Sequence, residues 1–108
     1  MRSVPELLFA KHLKELGVKF EREVRFHPVR RWRFDFVLTD YRIAVEICGS
    51  IWKGRAGGHS SGFGLQRDFD KRNAGVMLGY RILTFSSRDV LYGRAKAFLV
   101  EHLGKKAA

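Results

Sequence analysis

Apolar and polar positions along this chain follow two different periods. Phe9, Leu13 and Leu16 recur at helical spacing. Before them, Ser3-Val4-Pro5-Glu6 reads as a helix start, with Ser3 as N-cap, Pro5 in the first turn, and Gly17 as the stop. Val18 to Phe26 reads as a first strand. From Arg30 to Cys48 the period drops to two. Trp32, Phe34, Phe36 and Leu38 alternate with Arg31, Arg33, Asp35 and Val37, and Ile43, Val45 and Ile47 alternate with Ala44, Glu46 and Cys48. A two-residue turn at Asp40-Tyr41 pairs Thr39 with Arg42 and sets Asp35 opposite Glu46. Gly49 to Gly64 holds six glycines and reads as a long loop. Leu65 to Leu78 reads as a second helix ending at Gly79, its buried side formed by Leu65, Phe69, Val76 and Met77. Tyr80 to Phe85 is a further strand, and Ser86 caps a last helix from Ser87 to Leu103 with Val90, Leu91, Phe98, Leu99 and Leu103 as its apolar face.

The order helix, three strands, helix, strand, helix predicts an α/β sandwich with a mixed sheet. At 108 residues the chain has room for one core, so a single domain over 1–103 and a frayed basic tail over 104–108 are expected. No apolar run approaches the ~20 residues of a membrane span. The start lacks the pattern of a signal peptide, and one cysteine cannot form an internal disulfide, so the cytoplasm is the expected location. Charge narrows the picture further. With 21 Lys and Arg against 11 acids the net charge is +10, which favours a polyanion partner, nucleic acid before an anionic membrane.

Two carboxylates facing each other on one side of a sheet destabilise it, and a hard divalent cation is the natural neutraliser. A solvated hairpin with unrelated charges is the alternative. Glu6 lies one turn before Phe9 on the same helical stripe, either as part of a capping box or as a carboxylate aimed into a site under the helix. Arg25, Arg30, Arg31 and Arg33, with Trp32 among them, suit a phosphate-contacting surface. Lys53, Arg55 and His59 add positive or titratable groups on the glycine-rich stretch, read as a loop that orders over nucleic acid.

In this order the residues resemble the PD-(D/E)XK nuclease superfamily: Glu6, then Arg31-Trp32-Arg33-Phe34-Asp35-Phe36, then Ala44-Val45-Glu46-Ile47 with Gly49, Trp52 and Gly58-His59, then Asp68-x-x-Lys71-x-Asn73 and Gly79-Tyr80-Arg81-Ile82-Leu83. The chain is similar to small stand-alone phage and bacterial endonucleases related to very-short-patch repair, VRR-Nuc and Holliday junction resolvase enzymes. The resemblance implies a restriction-endonuclease-like fold and metal-assisted phosphodiester hydrolysis. It assigns Mg²⁺ or Mn²⁺ to Asp35, Glu46 and the carbonyl of Ile47, with Glu6 in contact. Cys48 stands where the superfamily carries a lysine and reads as a packing residue, so Lys71 on the following helix is the substitute cation. Arg67 is its competitor and a further DNA contact. The expected substrate is branched DNA, such as a Holliday junction, cut by a homodimer. A mismatch or duplex nicking enzyme, and a catalytically inactive DNA-binding module, are the alternatives.

Overall fold

The computed structural model describes residues 3–49 and 62–104, and the glycine-rich stretch with Trp52, Lys53, Arg55 and His59 lies outside them. Helix α1, Val4–Leu16, begins where Ser3 Oγ accepts the N–H of Glu6 at 3.3 Å and ends at Gly17. Phe9, Leu13 and Leu16 are buried, as the helical spacing predicts. Three strands follow: β1 Glu21–Arg25, β2 Arg33–Leu38 and β3 Ile43–Cys48. The first is shorter than the Val18–Phe26 expected, because the N–H of Val18 still bonds back to Leu13 at 3.0 Å and belongs to the helix cap. Helix α2 runs Gly62–Met77, β4 Arg81–Ser86, α3 Ser87–Leu91 and α4 Arg94–Leu103.

The sheet has the order β1-β2-β3-β4, antiparallel over the first three strands and parallel between β3 and β4. On one face, Phe9 and Leu13 from α1, Val90 from α3 and Leu99 from α4 pack on Phe36, Leu38, Val45 and Phe85. On the other, Phe34, Val37 and Ala44 form a smaller core with Val24, Phe26, Tyr80 and Ile82. The mixed α/β sandwich expected from the sequence is thus the observed architecture. Among the described residues no helix is long and apolar enough to cross a membrane.

Three expectations need correction. The final helix is two: Gly93 adopts φ +83, a left-handed conformation that breaks the segment between Leu91 and Arg94. The hairpin turn spans Thr39 to Arg42, because Arg42 takes φ +53, donates to the Leu78 carbonyl at 2.6 Å and accepts the N–H of Arg81 at 3.0 Å. Most consequential is α2, which is turned round. Its expected buried side is exposed, with Phe69 at 51% and Met77 at 84%, while Gly75 meets the sheet. A Cβ at Gly75 would stand 2.7 Å from Phe34 Cζ and 3.2 Å from Ile82 Cδ1. The missing side chain is what lets the helix lie this close, so the sheet selects the glycine face over the larger apolar residues.

Candidate active site

The β2–β3 register is the one read from the sequence, with Phe36 opposite Val45 and Leu38 opposite Ile43. One step further along lie Asp35 and Glu46, and there the side chains take over from the ladder. Glu46 Oε2 accepts the N–H of Asp35 at 3.0 Å, and Asp35 Oδ2 accepts the N–H of Ile47 at 2.8 Å. Each carboxylate therefore also holds the opposite strand.

Asp35 is also where the strand loses its alternation. Phe34 and Phe36, two residues apart, belong to opposite cores. The register from Arg22–Phe36 to Val24–Phe34 sets Glu23 across from Asp35, and Glu23 adopts φ +54, an uncommon conformation for a side chain of its type. Strain of this kind costs on the order of 1–3 kcal/mol and clusters at functional sites. The simple two-faced reading of Trp32 to Leu38 fails at this twist, since nothing in a period of two announces it.

The result is an acidic cluster in which Glu6, Glu23 and Asp35 each offer an oxygen, all within 4.8 Å of one another. Glu6 does not close a capping box; its carboxylate pairs with Arg22 at 3.3 Å. Arg22 in turn lies over the Phe36 ring at 4.9 Å, half-buried beside the acids and away from the outward basic series in which its sequence position puts it. Burial raises the pKa of Glu6 above the ordinary carboxylate range, and the charges of Asp35 and Glu23 add to it. Burial likewise raises Asp35, against the opposing pull of the Ile47 N–H and Lys71. Groups that share a site and resist ionisation together suit a hard cation, and carboxylate oxygens are the donors such a cation prefers.

On the α2 side, Lys71 Nζ lies 2.6 Å from Glu46 Oε1. The helix starts three residues before the expected Leu65, and its turned face is what aims Lys71 at the sheet. Glu46 is still pushed up by burial despite this partner. Cys48 is half-exposed rather than packed in either core; it lines a small cavity with Glu46, Asp68, Lys71, Arg72 and Thr84, and burial and the nearby carboxylates raise its thiol pKa. Arg72 donates to Thr84 Oγ1 at 3.2 Å across this cavity. A second cavity, lined by Trp32, Arg33, Arg67, Asp68 and Lys71, adjoins it.

Among the remaining candidates, Arg25 and Arg33 stand directly opposite each other at the end of the β1–β2 pair. Arg30 and Arg31 are exposed in the connection between those strands. Lys53, Arg55 and His59 fall outside the described residues. Glu23 is the functional candidate that sequence reasoning missed. Its signal was present in principle, because pairing β1 against β2 with Arg22 at Phe36 puts it across from Asp35.

No protein-family model matches the sequence, and no curated protein matches it. Among solved structures, the catalytic domain of the homing endonuclease I-Bth0305I superposes with a TM-score of 0.64 at 22% identity, over 95% of this chain and 100% of that one. The chain has the fold of that catalytic domain. At this identity the likeness speaks for the architecture, which places the acids on β2 and β3 and Lys71 on the helix between β3 and β4.

Proposed function

We propose that this chain is a divalent-metal-dependent DNA endonuclease that hydrolyses phosphodiester bonds. The observation that carries the reading is the Asp35–Glu46 exchange, with Glu6 and Glu23 gathered at Asp35 and a lysine against Glu46. The fold it shares with a homing endonuclease catalytic domain supports the same class.

The residues present fit a hard cation such as Mg²⁺ or Mn²⁺. Asp35 is the shared ligand, with Glu6 and Glu23 beside it. Glu46 and the carbonyl of Ile47 are the ligands that the superfamily resemblance assigns. In a strand the N–H and C=O of one residue point to the same edge, so the Ile47 carbonyl faces β2 as its N–H does. When bound, the cation lowers the pKa of a water and stabilises charge on the phosphoryl group. The chain's own residues do the rest. Lys71 brings positive charge to the place where the superfamily's lysine is replaced by Cys48, and Glu46 Oε1 holds that ammonium in position. Arg25 and Arg33 repel each other in the free protein, and a phosphate between them relieves the repulsion.

Branched DNA is the substrate we favour, since a small domain with a broad basic surface reads shape more readily than sequence. Two cuts at one junction call for a dimer with two sites. A mismatch or duplex nicking enzyme is the second reading. Incubation with four-way junction, linear duplex and single strand, each with Mg²⁺ and with EDTA, tests both. Junction cleavage confined to Mg²⁺ is expected. No cleavage of any DNA with Mg²⁺ or Mn²⁺ overturns the enzyme in favour of an inactive DNA-binding module.

A further inference from the structure

We propose that the groove between Trp32 and α2 seats one unstacked nucleobase of the substrate strand, with the Trp32 indole as its platform. This deepens the endonuclease reading and rests on it. The groove is a cavity of about 250 Å³ lined by Trp32, Arg33, Arg67, Asp68 and Lys71. It shares Asp68 and Lys71 with the smaller cavity of about 120 Å³ that opens onto Glu46. A nucleotide held there is therefore a neighbour of the phosphate attacked at the carboxylates, since Lys71 Nζ itself is 2.6 Å from Glu46 Oε1.

The indole is held before any ligand arrives. The Arg30 guanidinium lies over its ring at 4.4 Å, His27 meets it edge-on at 5.2 Å, and Phe26 runs nearly parallel at 6.3 Å and 18°. The loop that carries Arg30 is fixed in turn, because His27 Nδ1 accepts the N–H groups of Val29 and Arg30 at 3.1 and 2.9 Å. Trp32 so held is part of the groove wall. A pre-set aromatic platform loses little entropy on binding, so stacking energy is retained as affinity.

The chemistry of the lining selects the occupant. Three cations surround one acid, which suits a phosphate-bearing ligand rather than an apolar peptide side chain. The volume lies below the ~300–1,000 Å³ of drug-sized sites, so a single planar base fits better than a larger molecule. Every base has a π-face, so such a platform takes any of them and asks only that the base be out of its stack. The substrate strand is then one with an unpaired or readily splayed nucleotide next to the cut.

The test measures affinity for short single-stranded oligonucleotides in Ca²⁺, with an abasic site stepped through each position, for wild type, Trp32→Phe and Trp32→Ala. In wild type, one abasic position weakens binding about 5- to 150-fold, the scale of losing one base–aromatic stack. Trp32→Ala loses the same factor on intact oligonucleotide and no more on the abasic one, while Trp32→Phe keeps most of the affinity. Equal losses at every position, or losses that add when both changes are made, overturn the platform. The abasic scan on wild type stands even if Trp32→Ala fails to fold. Coupling without cleavage of any DNA keeps the platform and sinks the endonuclease. Cleavage without coupling sinks only the platform, and absence of binding to any nucleic acid sinks both.

Discussion

The side chains of Asp35 and Glu46 replace the hydrogen bonds that their two strands stop making: each carboxylate accepts a backbone N–H from the opposite strand, at 2.8 and 3.0 Å. The exchange lies just beyond the last β2–β3 pair, Phe36 with Val45, where acids from α1, β1 and β2 meet. It also makes the same two residues structural and chemical at once. Asp35→Asn and Glu46→Gln keep an acceptor oxygen for the N–H and lose the charge. Each variant is expected to fold, to abolish cleavage, and to bind DNA as well as or better than wild type, since a charge repelling phosphate is gone. Cleavage at the wild-type rate in Mg²⁺ by either variant removes that residue from the site.

Glu23 and Glu46 separate the two possible ligand sets. If the cation sits among Glu6, Glu23 and Asp35, Glu23→Gln weakens Mn²⁺ binding, measured by calorimetry or Mn²⁺ paramagnetic resonance, by about tenfold or more, the scale of altering a metal's surroundings. Glu46→Gln then has the smaller effect. The reverse ranking assigns the cation to Asp35, Glu46 and Ile47.

Lys71 is expected to matter for rate and little for affinity. Lys71→Ala lowers the cleavage rate by about 10² or more, the usual scale for one lost charge-stabilising group. It also leaves Glu46 without its partner, so the melting temperature falls, and Glu46→Gln in the same chain restores part of it. Single-turnover rates and thermal melts of the three variants check both halves. An unchanged rate for Lys71→Ala makes the lysine a surface partner of Glu46 alone.

Asp35 governs a pH dependence in the metal-free protein. Its pKa is raised by burial, so in the window between the ordinary carboxylate value and the raised one the folded state binds more protons than the unfolded state. Stability contributed by this group therefore falls as pH rises through that window, and the penalty is complete above it. In EDTA, Asp35→Asn is expected to melt higher than wild type at neutral pH. The gap closes as pH drops towards the ordinary carboxylate range. A gap that stays constant with pH contradicts the raised value.

Gly75 tests the orientation of α2. A Cβ there meets Phe34 Cζ at 2.7 Å, so the ring, 1% exposed, must shift within the core. Overpacking costs about 1–3 kcal/mol and the gain in helix propensity returns about 1 kcal/mol. Gly75→Ala is thus expected to lower the melting temperature by several degrees, with recovery on adding Phe34→Leu. A higher melting temperature for Gly75→Ala alone shows that the helix does not lie against Phe34 in this way.

What the sequence determined by itself is what repeats locally. Ser3, Pro5 and Gly17 bound α1 because caps and stops act within one turn. The period of two from Phe36 to Leu38 and from Ile43 to Ile47 set the hairpin register, because a slip by one residue moves every buried side chain to the wrong face. The order of elements then followed, and with it the mixed sheet. The tertiary structure decided whatever depends on a partner far along the chain. The pattern of α2 says that it has an apolar stripe, yet the sheet takes the Gly75 side, because close approach to Phe34 and Ile82 outweighs burying Phe69 and Val76. That choice brings Lys71 to Glu46. Glu23 joins Glu6 and Asp35 only because β1 pairs with β2 in one register and takes a left-handed residue at that point. A single strand's pattern carries its own two faces; which acids from three elements end up in one place is settled only when those elements pack.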